Sequence, residues 1–260
     1  MVAERPEAFL AAAGVSAGYD KVPVVRDASI DVGLAEIVLI MGPNGAGKST
    51  LIKAITGELP LLGGTLTLSG TNIGRLREED RVAAGIGYVP QVRDVFPPLT
   101  VQQNLEMGGY RLRGGAVKER QGEVFELFPQ LAGLRRRLAR SLSGGERKML
   151  AIGRALMARP RLLILDEPTA NLAPLVANTV LHGIVSQLAG GGRAVLLVEQ
   201  RVSLGLEVAS WGYVLTDGRV RLSASSRELR AKEDLGSLFL GRGASGLASG
   251  PSPSSEQAPR

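Results

Sequence analysis

The apolar run Ile37–Met41 leads directly into Gly42-Pro43-Asn44-Gly45-Ala46-Gly47-Lys48-Ser49-Thr50, and no other feature restricts the fold of this chain so strongly. The spacing is G-x-x-x-x-G-K-[ST] between a buried strand and a helix, which predicts a loop that cradles phosphate. Glycines at these positions let successive backbone N–H groups turn inward around phosphate oxygens, and the helix N-terminus adds a favourable dipole. Lys48 would supply a point charge to the β- and γ-phosphates, and Ser49 a hydroxyl to Mg²⁺. The whole stretch from Gly42 through Thr50 is therefore expected to bind a nucleoside triphosphate, with Gly57 ending the helix that follows.

The remaining hydrophobic pattern places this loop in an α/β protein. Residues 86–89, 162–165 and 194–198 are short continuous apolar runs like residues 37–41, as expected for parallel strands covered on both faces by helices. Two other stretches alternate instead: Ala28, Ile30 and Val32 with Ser29 and Asp31, and Leu66 and Leu68 with Thr65, Thr67 and Ser69. That period of two predicts half-buried antiparallel strands. Residues 97–140 turn helical after Pro97-Pro98, with Thr100 and Gln103 at capping-box spacing. Asp217-Gly218 between apolar residues 213–215 and 219–222 predicts a hairpin, because both turn residues tolerate positive φ. Residues 243–260, rich in Gly, Ser and Pro, are expected to be a disordered tail.

Composition excludes several chemistries. The chain has 260 residues, 44% of them hydrophobic, enough for a sizeable core, and with no Cys it has neither disulfides nor thiolate metal sites. Its single His, His182, is expected to be a surface or packing residue, since no second His shares a metal with it. Trp211 and Tyr213 are likewise expected to be packing residues that precede a strand. No apolar run reaches the roughly 18 to 20 residues of a spanning helix, and residues 1–6 are charged without a following apolar core. The chain is expected neither to span a bilayer nor to be exported. The net charge of +6 is read as a solvated basic surface and not as a nucleic-acid site, because Arg135, Arg136, Arg137 and Arg140 have no interleaved aromatics for stacking bases.

Two further motifs carry chemistry. Leu162-Leu163-Ile164-Leu165-Asp166-Glu167 is a buried strand ending in two carboxylates. Downstream of a phosphate loop, Asp166 would hold Mg²⁺ and Glu167 would polarise the attacking water. Leu142-Ser143-Gly144-Gly145-Glu146 precedes a helix, and Ser143 with Glu146 forms a capping box. Ser143, Gly144 and Gly145 also expose a hydroxyl and amides to an anion, so the cap can serve as a second phosphate clamp.

In this order, the phosphate loop, the Leu-Ser-Gly-Gly-Glu segment and the strand ending in Asp166-Glu167 resemble the ABC ATPase family over roughly residues 9–222. The resemblance implies a P-loop NTPase fold of the ABC type. Its parts would be a parallel core sheet, an antiparallel β subdomain and a helical subdomain at about 97–150, all in one domain spanning 7–240. It implies that Tyr19 stacks on adenine, and that Gln91, after Tyr88-Val89-Pro90, senses Mg²⁺ and contacts membrane subunits. ATP and Mg²⁺ are the implied ligands. Arg147, beside Glu146, either positions this helix or is a solvated charge.

Two positions depart from the common family pattern. Gln200 stands where the family usually has a His that contacts the γ-phosphate and orients water, and Ala173 stands where an Asp usually crosses the dimer interface. Glutamine donates a hydrogen bond but never becomes a cation. Both departures are usual in one branch, which this chain also resembles through residues 87–101, 142–146, 171–175 and 197–200: ATPases of branched-chain amino-acid importers and their relatives for urea and amides. That resemblance implies a second, related but different ATPase chain, two membrane permease subunits and an external solute-binding protein. It also implies a peripheral position on the cytoplasmic face of the inner membrane. An importer for urea or amides, or an exporter, remains an alternative. An ABC ATPase acting on ribosomes or DNA would normally carry two linked cassettes or a long coiled-coil insertion, and this chain has neither.

Overall fold

A computed structural model describes residues 7–232; the expected tail at 243–260, and the end of the expected domain, lie outside the described residues. The chain opens with β1 (Ala8–Tyr19), β2 (Val22–Gly33) and β3 (Ile37–Met41), and the phosphate loop then leads into α1 (Lys48–Thr56). Next come β4 (Leu61–Leu68), β5 (Thr71–Asn72), α2 (Glu78–Ala83) and β6 (Ile86–Val89). Four helices follow: α3 (Val101–Gly108), α4 (Ala116–Leu127), α5 (Pro129–Gly133) and α6 (Gly144–Leu156). Beyond β7 (Leu162–Asp166), α7 (Pro174–Asn178) runs through a π-wound stretch (Thr179–Val185) into α8 (Ser186–Gly190). The described chain ends with β8 (Ala194–Val198), α9 (Val202–Val208), β9 (Trp211–Thr216), β10 (Arg219–Ser225) and α10 (Ser226–Ala231).

The strands form two sheets. One is antiparallel in the order β2-β1-β4-β5, and the other has the order β10-β9-β3-β8-β7-β6. In the second sheet every pairing is parallel except the β9–β10 hairpin. Its central strands β3, β7 and β8 are buried at every residue, and the period of two divides their side chains between two cores. Leu39, Met41, Leu163, Leu165, Val195 and Leu197 pack with helices α3 to α9. Val38, Ile40, Leu162, Ile164, Leu196 and Val198 pack with α1 and with β1, β2 and β4. The continuous apolar runs thus signal burial on both faces, but one cover is an antiparallel sheet joined with a helix and not helices alone. An apolar run reports that water is excluded, not which element excludes it.

Turn chemistry sets the edges of these elements. Asp217 and Gly218 both have positive φ, 51° and 72°, giving the tight hairpin between β9 and β10. β9 begins at Trp211, so Trp211 and Tyr213 lie within the strand and not before it. Gly57 caps α1 in the left-handed conformation with φ 95°. The capping box at Thr100 and Gln103 is complete, and the buried Asn104 of α3 fastens the preceding loop through Phe96 N–H and carbonyl. The helices between β6 and β7 run on to Leu156 because α6 is one uninterrupted helix.

Candidate functional site

The site gathers where strands β3, β7 and β8 end, the edge at which a parallel sheet opens between its crossovers. Gly42 has φ 155° and a Cβ there would lie 2.0 Å from Leu215 O, so the loop can leave β3 this closely beside β9 only with glycine. Gly45 and Gly47 take φ 80° and 99°, which orients the loop toward the start of α1. The hairpin turn clamps it from outside: Gly218 N–H donates to Ala46 O at 3.0 Å, and Arg26 N–H donates to Gly218 O at 2.8 Å.

Lys48 is 6% exposed, and its ammonium donates to Gly42 O at 2.8 Å and Pro43 O at 3.0 Å. Burial lowers its pKa, while Glu167 and Asp166 oppose that shift. A cation held in a dry loop beside exposed Asn44, Gly45 and Ser49 is a receptor for an anion.

The carboxylates stand opposite. Asp166 ends β7, and burial followed by the charge of Glu167 pushes its carboxyl up to about 6. Tyr88 O–H stands 3.5 Å from it. Ser49, Gln91 and Asp166 line one groove of about 870 Å³. A hydroxyl, an amide oxygen and one carboxylate suit a divalent cation that takes its other ligands from water and phosphate.

Glu167 has φ 47°, a left-handed conformation for a non-glycine residue at the head of the turn leaving β7. Its Oε2 accepts from Gln91 Nε2 at 2.6 Å and its Oε1 from Gln200 Nε2 at 2.7 Å. Gln200 Nε2 also donates to Asn44 Oδ1 at 3.2 Å, joining the carboxylate to the phosphate loop. Gln91, Glu167 and Gln200 line a further cavity of about 260 Å³ with Glu199 and Arg201.

The structure thus brings together the phosphate loop, Gln91, Asp166, Glu167 and Gln200. Ser143, Gly144 and Gly145 line none of the cavities that these residues form. Ser143 caps α6 by accepting from Glu146 N–H, and the two glycines pack against Leu172 and Val176. Tyr19 ends β1, is 47% exposed, and its ring centroid is 6.0 Å from Lys53 Nζ of α1. Ala173 occupies the N-cap of α7, where it offers no side-chain acceptor. His182 is exposed and its Nε2 pairs with Glu207 at 2.9 Å.

One contributor was not singled out by sequence reasoning. Glu199 is 1% exposed, accepts from Thr169 N–H at 3.0 Å, and ties the end of β8 to the turn that presents Glu167. Burial raises its pKa, against the hydrogen bonds that favour its charge. In sequence it is an acid directly after the apolar run 194–198, inside the segment 197–200 that carries the branch resemblance but with no role of its own assigned.

Comparison with known proteins identifies the family and the fold. Residues 25–170 match the family described as ABC transporter. The chain is 37% identical over 227 residues to the probable branched-chain amino acid transport ATP-binding protein LivF of Archaeoglobus fulgidus, covering 87% of this chain and 96% of that protein. It is 38% identical over 227 residues to the high-affinity branched-chain amino acid transport ATP-binding protein BraG of Pseudomonas aeruginosa, covering 87% and 97%. Among solved structures, the ADP conformation of an ATP-binding cassette of an ABC transporter superposes with a TM-score of 0.82 at 26% identity, covering 90% of this chain and 99% of that one. The chain belongs to the ABC transporter family, as an ATPase cassette.

Proposed function

We propose that this chain is the ATP-hydrolysing subunit that energises an ABC importer for branched-chain amino acids. The observation that carries hydrolysis is the Glu167 carboxylate, held on both oxygens by Gln91 and Gln200 beside a buried lysine and a phosphate-type loop. The solute class rests on the two named relatives, which match most of this chain.

On this reading the phosphate loop wraps the β- and γ-phosphates, Lys48 leaves its two carbonyl partners for phosphate oxygens, and Tyr19 stacks on adenine. Ser49, Gln91 and Asp166 would hold Mg²⁺, which when bound neutralises charge on the phosphate oxygens. Glu167 accepts a proton from the attacking water as the bond from water oxygen to the γ-phosphorus forms and the bond to the bridging oxygen of ADP breaks. Gln200 and Gln91 fix the carboxylate so that this proton has one destination.

Ser143, Gly144 and Gly145 line none of the cavities around this chain's own phosphate loop and carboxylates, which supports their serving the ATP bound to a second ATPase chain packed head to tail. That chain is related but not identical. Two permease subunits and an external solute-binding protein complete the complex, and the ATPase pair sits peripherally on the cytoplasmic membrane face. Among the described residues no helix is long and apolar enough to cross a membrane. ATP favours the closed pair because it contacts both chains only there, and hydrolysis removes that bias.

The test is uptake of labelled leucine by cells lacking this gene. Restoration by the wild-type chain but not by Glu167→Gln is expected. Unimpaired leucine uptake in the deletion strain, or export of a labelled solute in its place, overturns the importer reading.

A further inference from the structure

Residues 91–96 are tied at three points to three different elements. Gln91 holds Glu167 at the end of β7, Asp94 Oδ2 accepts from Lys148 Nζ of α6 at 2.7 Å, and Phe96 is fastened through its backbone to Asn104 of α3. Asp94 and Lys148 are 7% and 6% exposed, so the pair is buried. Arg93 takes a left-handed φ of 55°, which fixes the direction of the loop between Gln91 and Asp94. Arg154 of α6 lies over the Phe96 ring, 4.9 Å from its centroid, and holds the far end of the same loop.

From this arrangement we infer that Lys148 is a positioning residue: through Asp94 it sets the N-terminus of α6, with Ser143, Gly144 and Gly145, according to where Gln91 stands at Glu167. The inference deepens the ATPase reading above and rests on it. A buried ion pair is a poor source of stability, since apolar side chains of similar volume commonly serve as well. What it does supply is a fixed distance and direction between a loop and a helix. Lys148 is five residues beyond Ser143, about 7.5 Å along a stiff helix, so a shift of the ammonium moves the phosphate clamp as one body. The clamp serves the partner's ATP, so the pair would link what happens at one nucleotide to the grip on the other. Such a link requires a coupling measurement, because mere adjacency does not establish it.

The experiment is amide hydrogen exchange on the full chain, with and without Mg²⁺ and the β,γ-imido analogue of ATP, for wild type, Lys148→Arg, Lys148→Met and the double variant Asp94→Leu/Lys148→Met. Calorimetry on the same samples reads analogue binding. In wild type and Lys148→Arg the analogue is expected to change exchange at residues 91–95 and at 144–148. In Lys148→Met and the double variant the response at 91–95 is expected to remain, with that at 144–148 reduced at least fivefold. The double variant removes both charges of the buried pair together, so it separates coupling from the cost of leaving Asp94 unpaired. A response at 144–148 that survives in both apolar variants overturns the inference. So does its absence in wild type that binds the analogue, or failure of both apolar variants to fold. Failure of wild type to bind the analogue overturns the ATPase reading itself, and this inference with it.

Discussion

Gln200 donates to Glu167 Oε1 at 2.7 Å from the position where the wider family usually has histidine, and the same amide nitrogen reaches Asn44 of the phosphate loop at 3.2 Å. An amide fixes the carboxylate without ever becoming a cation, so this part of the centre has no titration of its own near neutrality. A hydrogen bond to a charged group contributes about 1.5 to 3 kcal/mol. Gln200→Ala is therefore expected to lower kcat for ATP hydrolysis by roughly 10- to 100-fold. Affinity for the nucleotide should change far less, because Lys48 and the loop amides remain. Steady-state ATPase assays together with calorimetry separate the two. Equal losses in both would show that Gln200 contacts phosphate in the ground state and does not chiefly orient Glu167.

The Asp166 carboxyl gives a pH prediction. Its pKa is raised to about 6 by burial and by Glu167, above the ordinary aspartate value of about 3.9. Between those two values the folded chain binds more protons than the unfolded chain, so in metal-free, nucleotide-free protein this group's contribution to stability falls as pH rises from 4 to 6 and levels off above. A divalent cation requires the ionised form, so cation and nucleotide binding should release about half a proton at pH 6, approaching one proton toward pH 5 and close to none above about pH 7.5. Calorimetry in buffers of different ionisation enthalpy counts that proton. Asp166→Asn should abolish the release, and a release that survives the substitution would assign it to another group.

Much of this arrangement is legible in the chain because it is local. A phosphate loop, a capping box and an Asp-Gly hairpin each specify their own backbone, and each forms over the residues that encode it. The apolar runs place four parallel strands for the same reason. The contacts that complete the site are between distant segments. Gln91 reaches Glu167 across 76 residues, Lys148 reaches Asp94 across 54, and Glu199 reaches Thr169 across 30. No periodicity encodes which buried acid meets which donor, so the bond from Thr169 to Glu199 is not legible from the charge that follows the strand. The antiparallel cover on one sheet face escapes for a similar reason, since apolar alternation in β2 and β4 does not name the surface it meets.

Gly218 couples hairpin and phosphate loop. A Cβ at this position would lie 1.9 Å from Val24 O, in a backbone with φ 72° that L side chains rarely adopt. The strand β2 backbone and the Ala46 carbonyl both depend on its close approach. Gly218→Ala should lower the urea midpoint by an amount corresponding to about 2 kcal/mol or more and weaken nucleotide binding as well, although residue 218 offers no side chain to the ligand. Gly45→Ala makes a useful contrast, because a Cβ there meets nothing within 4 Å and only the φ of 80° opposes it. Unfolding curves that rank Gly45→Ala as the more damaging of the two would mean that the hairpin does not brace the loop.

Arg81 tests what holds the far end of α1. It is 1% exposed, and its guanidinium donates to Ala54 O and Ile55 O at the end of that helix and to Leu76 O and Gly74 O of the loop before α2. Those helical carbonyls are among the last of α1 and have few intrahelical donors available. One planar cation thereby satisfies four backbone acceptors, the two of α1 in buried hydrogen bonds, and compensates for its own burial, which lowers its pKa. Arg81→Leu removes every donor at once and leaves the carbonyls unsatisfied, at about 1 to 3 kcal/mol for each that water does not reach. The expected loss of stability is several kcal/mol, with α1 and the phosphate loop ahead of it exchanging amide hydrogens faster than the β7–β8 pair. Arg81→Lys should recover only part, because an ammonium has three donors and no fork to span the two segments. Full recovery by lysine would mean that charge alone, and not the planar geometry, secures the helix that carries Lys48.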